Sequence, residues 1–130
     1  IKKISGILII FDYGYFSPIN YSSLQSIKYH RLKNIVDNPG MQDITSLVNF
    51  KKFKKISIQN NLNFYGPFSQ RDFLIKNGIE HRKNKILLKA NKKQKSTINN
   101  GYDRLTSIHE MGNIFKCFIV SSFNINDTNT

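Results

Sequence analysis

At 130 residues the chain fits one domain with one core. Lys and Arg number 20 against 8 acids, a net +12. Only four of those cations are Arg, the better reader of phosphates and bases, so the charge reads as a composition bias and nucleic acid is not the expected partner. The single cysteine excludes an internal disulfide framework and a Cys-based zinc site, and no apolar run reaches the ~18 residues of a membrane span.

The stretch that organises the chain is Gly6–Tyr15, GILIIFDYGY. Five apolar residues, Ile7 to Phe11, opened by Ser5-Gly6 and closed by Asp12-Tyr13-Gly14-Tyr15, read as a strand buried on both faces. Such strands belong to parallel sheets with helices on either side. Ligands then bind beyond the carboxyl ends of the strands, where Asp12 to Tyr15 fall. The plainer alternative is that Asp12 ends the strand and caps a turn. The chain starts without Met and is almost at once in a core strand, so it reads as the back portion of something longer, and Ile1-Lys2-Lys3 does not lead into a signal peptide.

Residues 16–43 read as a long connection of little periodicity, broken at Ser17-Pro18 and Asn38-Pro39-Gly40. Within it His30 is a candidate general base or ligand, against the plainer reading of a surface histidine beside Arg31. Asp43 reads as the N-cap of a helix with Ile44, Leu47, Val48, Phe53 and Ile56 on its apolar face and Lys51, Lys52, Lys54 and Lys55 in solvent. A second strand is expected around Leu62–Tyr65, stopped by Gly66-Pro67. Ser69 then caps a helix with Asp72 at its third position, interrupted at Gly78 and resumed over Ile79–Lys89. Asn91–Gly101 reads as a mobile polar loop. Ser107-x-x-Glu110 reads as a capping box for a short helix over Met111 and Ile114. Phe115–Val120 is the last apolar strand, holding a buried, inert Cys117. The domain so read spans 1–121, with 122–130 as a frayed tail.

No dinucleotide, P-loop or hydrolase motif is present. His109-Glu110 lacks the second histidine of a zinc protease, since Asn113 stands four places on, and neither histidines nor acids cluster as metal ligands. The residues alone give an α/β piece with a candidate ligand edge and no self-contained reaction centre.

Taken in order, five segments resemble the MidA-type family of S-adenosylmethionine-dependent protein arginine methyltransferases, which includes a mitochondrial complex I assembly factor. GILIIFDYGY is similar to that family's strand and D-Y-G-Y turn. SSLQSIKYHR resembles its D-T-L-Q…H-[KR] segment, with Ser22 where Asp is usual. DNPGMQDIT matches D-P-G-x-x-D-[LI]-T through Asp37, Pro39, Gly40, Asp43, Ile44 and Thr45. GPFSQRDFLIKNGIEHR resembles G-P-x-[ST]-Q-x-x-F-L-x-x-x-G-I-x-x-R, and RLTSIHEMGNIFK resembles R-L-x-x-x-x-E-M-G-x-x-F-K. One departure stands out: the family's T-x-H-V-D-F is here Thr45-Ser46-Leu47-Val48-Asn49-Phe50, without the histidine and the aspartate.

The resemblance implies the C-terminal half of a class I (Rossmann-like) methyltransferase sheet, with a helical insertion before an antiparallel last strand. It places the S-adenosylmethionine-binding loop upstream of Ile1. It implies a protein substrate, an arginine on a respiratory complex I subunit, in bacterial cytoplasm or mitochondrial matrix, and this fragment alone would be inactive. By position and motif Asp12, Tyr13, His30, Asp43, Thr45 and Gln70 form the expected substrate-side wall, while the catalytic base stays unassigned. The sequence leaves a homodimer open. The alternative reading is a non-enzymatic basic module, or an inactive remnant, contacting protein or nucleic acid.

Overall fold

The computed structural model describes residues 3–125. The apolar opening forms β1 (Ile7–Tyr15), which pairs antiparallel with β7 (Phe115–Ser121) from Ile7↔Ser121 to Tyr13↔Phe115. On its far side β7 pairs antiparallel with β6 (Asn63–Ser69), whose register shifts between Tyr65 and Phe68. On the other side of β1 only β5 (Val48–Asn49) pairs, parallel, at Gly14↔Val48 and Tyr15↔Asn49. The order is β5-β1-β7-β6. The last strand thus lies antiparallel between β1 and β6, which run in the same direction, as the expected α/β architecture requires.

Burial of β1 departs from expectation. Ile7, Leu8, Ile9 and Phe11 are each 40–49% exposed. Their edge facing away from β7 has no strand partner over Ile7–Tyr13 among the described residues. A neighbouring strand along that edge would cover part of these side chains, and β5 reaches only Gly14 and Tyr15. Such an edge is a template for another strand.

Residues 16–43, expected as an irregular connection, contain most of a second sheet of order β3-β2-β4, made by β2 (Gln25–Lys28), β3 (Arg31–Lys33) and β4 (Asp43–Thr45). Strands of three or four residues are too short to display a two-residue period. Their tight turn places Tyr29 and His30 at φ 52° and 58° without the glycine that usually announces it. Because Asp43 starts a strand, it caps no helix. The β-branched Ile44, Thr45 and Val48 favour extended backbone, and α1 (Phe50–Gln59) begins only after Asn49, whose Oδ1 accepts from the Lys52 N–H at 3.0 Å.

The main core lies between α1 and the sheet. Phe118 is fully buried, and the rings of Phe50, Phe53 and Phe64 sit 5.0–5.6 Å from it, centroid to centroid. Val120, Ile10, Val48 and Leu62 pack into the same cluster. Gly14 is needed beside it, because a Cβ there would run into the Val48 carbonyl and lie 2.6 Å from the Phe50 ring. Cys117 is buried as expected, and burial pushes its thiol up to about 11, so it is protonated and inert at neutral pH.

Between β6 and β7 come four helices. Ser69 Oγ accepts from the Asp72 N–H at 2.9 Å and opens α2 (Gln70–Lys76) as expected. Gly78, at φ 83°, turns the chain into α3 (Ile79–Leu87). The expected polar loop is instead part of α4 (Lys92–Thr106), opened by a reciprocal cap in which Asn91 and Gln94 each accept the other's backbone N–H at 2.9 Å. Its apolar residues Ile98, Tyr102 and Leu105 fall on one helical face amid polar residues that hide the pattern. α5 (Met111–Ile114) forms without the expected capping box: Ser107 Oγ accepts from the His109 N–H at 3.3 Å, and Glu110 makes no side-chain cap. At the expected tail, Gly6 N–H donates to Ser122 Oγ at 2.9 Å and Tyr65 Oη donates to Asn124 Oδ1 at 3.0 Å. Residues 126–130 lie outside the described residues.

Phe118→Ala should cost about 3–5 kcal/mol, the loss expected when a fully buried aromatic ring is removed from a packed cluster. Urea denaturation reads this directly, and a loss under about 1 kcal/mol would mean that the ring cluster is not the core.

Candidate functional site

The register brings three strand ends to one edge. Asp12 on β1 pairs with Lys116 on β7, and Lys116 pairs with Ser69 on β6. Directly paired residues face the same side of a sheet, so Asp12, Lys116 and Ser69 form a row at the carboxyl ends of β1 and β6. Lys116 Nζ donates to the Asn113 carbonyl at 2.6 Å, and the Tyr13 N–H donates to Asp12 Oδ1 at 2.8 Å. Asp12 is half-buried and keeps its carboxylate at the edge of the sheet. On the opposite face the Tyr13 ring stands edge-on to Phe115 at 5.5 Å.

Gln70 follows Ser69 and so reaches the same edge, but its side chain is committed inward. It is 4% exposed, and its Nε2 donates to the Leu105 carbonyl at 2.9 Å. Next to it Arg71 Nη1 donates to the Thr106 carbonyl at 2.8 Å. The last turn of a helix leaves its carbonyls without intrahelical donors. Gln70 and Arg71 supply two of them and hold the end of α4 against the start of α2. The capping pattern marked this turn in the sequence, but nothing marked the long-range partners.

The other three expected site residues belong to the small sheet. His30 is exposed in the β2–β3 turn, and Asp43 and Thr45 lie on β4, opposite Ile27 and Gln25. Thr45 is three residues before Val48, which pairs with Gly14, and three residues span at most about 11 Å. β4 therefore ends close to the carboxyl end of β1, and the Leu47 N–H further ties this crossing to Ser23 Oγ at 3.1 Å. The structure thus forms two groups. Asp12, Tyr13 and Gln70 share the main edge, whereas His30 and Asp43 share the flap beside it and Thr45 lies where flap and edge meet. Asn49, where the resemblance expects aspartate, caps α1, a task for which the two residue types are equivalent.

A family model described as "Putative S-adenosyl-L-methionine-dependent methyltransferase" matches residues 1–68. The chain belongs to this family, as the MidA-type resemblance implied. It is 31% identical over 119 residues to the mitochondrial protein arginine methyltransferase NDUFAF7 homologue of Caenorhabditis elegans, matching 91% of this chain and 27% of that protein. Two Burkholderia thailandensis structures share the fold, each at 27% identity. One has a TM-score of 0.77 over 90% of this chain and 33% of its own. The other, solved with S-adenosyl-homocysteine bound, has a TM-score of 0.75 over 89% of this chain and 32% of its own. The chain therefore spans about a quarter of the worm relative and a third of each solved protein.

A Cβ at Gly14, Gly66 or Gly112 would meet this chain's own backbone or rings, so those glycines serve its packing. Every buried side-chain polar atom among the described residues has a hydrogen-bond partner. No three or more His, Cys, Asp or Glu side chains group there as metal ligands, and no helix among them is long and apolar enough to cross a membrane.

Gln70→Ala should lower stability by about 1–3 kcal/mol, because it removes a buried donor and strands the Leu105 carbonyl. Arginine–carbonyl pairing alone should not rescue it. Thermal unfolding of the variant tests this, and an unchanged midpoint would return Gln70 to a purely substrate-facing role.

Proposed function

We propose that the chain forms the substrate-side wall of an S-adenosylmethionine-dependent protein arginine methyltransferase that supports respiratory complex I assembly in the mitochondrial matrix. The observation that carries this reading is the Asp12 carboxylate, held by the Tyr13 N–H at the carboxyl edge of the sheet. Family membership and the names of the curated relatives support the reaction and the acceptor. The cofactor, which supplies an electrophilic methyl group, needs residues beyond those described.

What this chain's residues contribute is binding and orientation. A guanidinium is planar and permanently charged, so it needs a fixed carboxylate and gains from an aromatic neighbour. Asp12 and Tyr13 offer these groups from adjacent positions of one strand. Because adjacent strand residues face opposite sides, Asp12 is assigned the direct contact and Tyr13 the shape of the rim. Methyl transfer depends mainly on holding the acceptor nitrogen in line and relieving it of a proton, and a positioned carboxylate serves both ends. His30, Asp43 and Thr45 on the flap are assigned to the flanking peptide.

Asp12→Asn keeps the oxygen that accepts from Tyr13 and removes the charge. In the full-length enzyme it should lower kcat/KM for protein methylation by about 100-fold, some 2.7 kcal/mol of transition-state binding, with little change in melting temperature. Mass spectrometry of the methylated acceptor measures the rate. An unchanged kcat/KM would remove Asp12 from the site.

A further inference from the structure

The helical layer carries a trough that the methyltransferase reading does not use. One cavity of about 440 Å³ lies among α2, α3 and α4, with Leu74, Ile79, Ile86, Ile98 and Leu105 as its apolar lining. A second, also about 440 Å³, continues it past Lys89 and Lys93, and the two share Ile86 and Ile98. The two adjoin at Ile86 and Ile98, and α4, whose fifteen residues are about 22 Å long at 1.5 Å each, borders both as one side of an apolar groove. Arg82 and Lys83 line the first part, Lys89 and Lys93 the second. Lys83 Nζ lies 3.8 Å from the centre of the Tyr102 ring, which joins α3 to α4 across the groove.

Charge on these two helices is one-sided. From Ile79 to Thr106 there are eight Lys or Arg (Arg82, Lys83, Lys85, Lys89, Lys92, Lys93, Lys95 and Arg104) and two acids, Glu80 and Asp103, a net +6. We infer that this groove docks an acidic amphipathic helix of another protein, with its apolar stripe on Ile86 and Ile98 and its carboxylates against Lys89 and Lys93. Apolar stripes at helical spacing fit grooves of this kind. The cations supply register and attraction, and reject basic segments. A membrane surface is the less suitable occupant, since a flat bilayer meets convex apolar faces, whereas these side chains line a concavity. The inference is independent of methyl transfer, because docking needs no cofactor.

The test uses the intact protein and a labelled synthetic helix of about 18 residues, with Leu at i, i+3, i+4 and i+7 and Glu on its other face, read by fluorescence anisotropy. A twin peptide with Lys in place of Glu is the control. The Glu helix should bind at least about ten times more tightly than the Lys helix, and the Lys89→Glu/Lys93→Glu protein should lose about tenfold or more. Ile86→Asp should abolish binding, with circular dichroism checking that the helices persist. Lys54→Glu/Lys55→Glu, on α1, should change it less than about twofold, which separates the groove from general attraction to a cationic protein. Equal binding of both peptides, binding of neither, or equal losses in the two charge-reversed proteins would overturn the inference. So would binding to phosphatidylglycerol vesicles with none to the Glu helix.

Discussion

The structure depends on the pairing of its first and last strands. β1 and β7 are joined over seven register positions although about a hundred residues separate them along the chain. This pairing puts β7 in the middle of the sheet and lets Phe118 collect the rings of α1 and β6 on one face. It also aligns Asp12 with Lys116, and through Lys116 with Ser69. A slip of one residue would turn Phe118 to the other face and take Asp12 out of the row. Core and candidate site are therefore set by one register.

The helical insertion is fastened at the same end of the sheet. Gln70 and Arg71 leave β6 and bind the last carbonyls of α4, so the helical layer is anchored where the strands finish. Gly112 permits the close return, since a Cβ there would lie 2.5–2.6 Å from the Thr106 and Ser107 carbonyls. On the other side, β4 and β5 carry the small sheet to the carboxyl end of β1. The substrate-side reading thus rests on two supports of different character. One is a row in a packed sheet, and the other is an exposed flap turning at Tyr29 and His30.

The main strands were legible because Ile7–Phe11 and Phe115–Val120 are long apolar runs, and the Ser69 cap because its pattern is local. The small sheet was not, since strands of three residues carry no period and its turn uses Tyr29 and His30 in place of glycine. Asp43 stands before an apolar pattern as a helix cap would, but the β-branched residues that follow it carry the chain into β4. α4 was hidden by lysines and asparagines, although Asn91 and Gln94 stood at cap spacing. Of the candidate site, the Asp12–Tyr13 turn was readable from strand chemistry. The inward commitment of Gln70 depends on carbonyls 35 residues away, which no local pattern reports. The open side of β1 was invisible for a related reason: an apolar run states that a strand seeks burial, not whether its neighbour is there.

We propose that these residues form a substrate wall and leave the cofactor to other parts of the fold. The most direct measurement is isothermal titration of S-adenosylmethionine into the purified 130-residue chain. No saturable binding is expected up to about 1 mM, a concentration that corresponds to about 4 kcal/mol of affinity. Saturable micromolar binding to this chain alone would contradict it and would place a complete cofactor site within these residues.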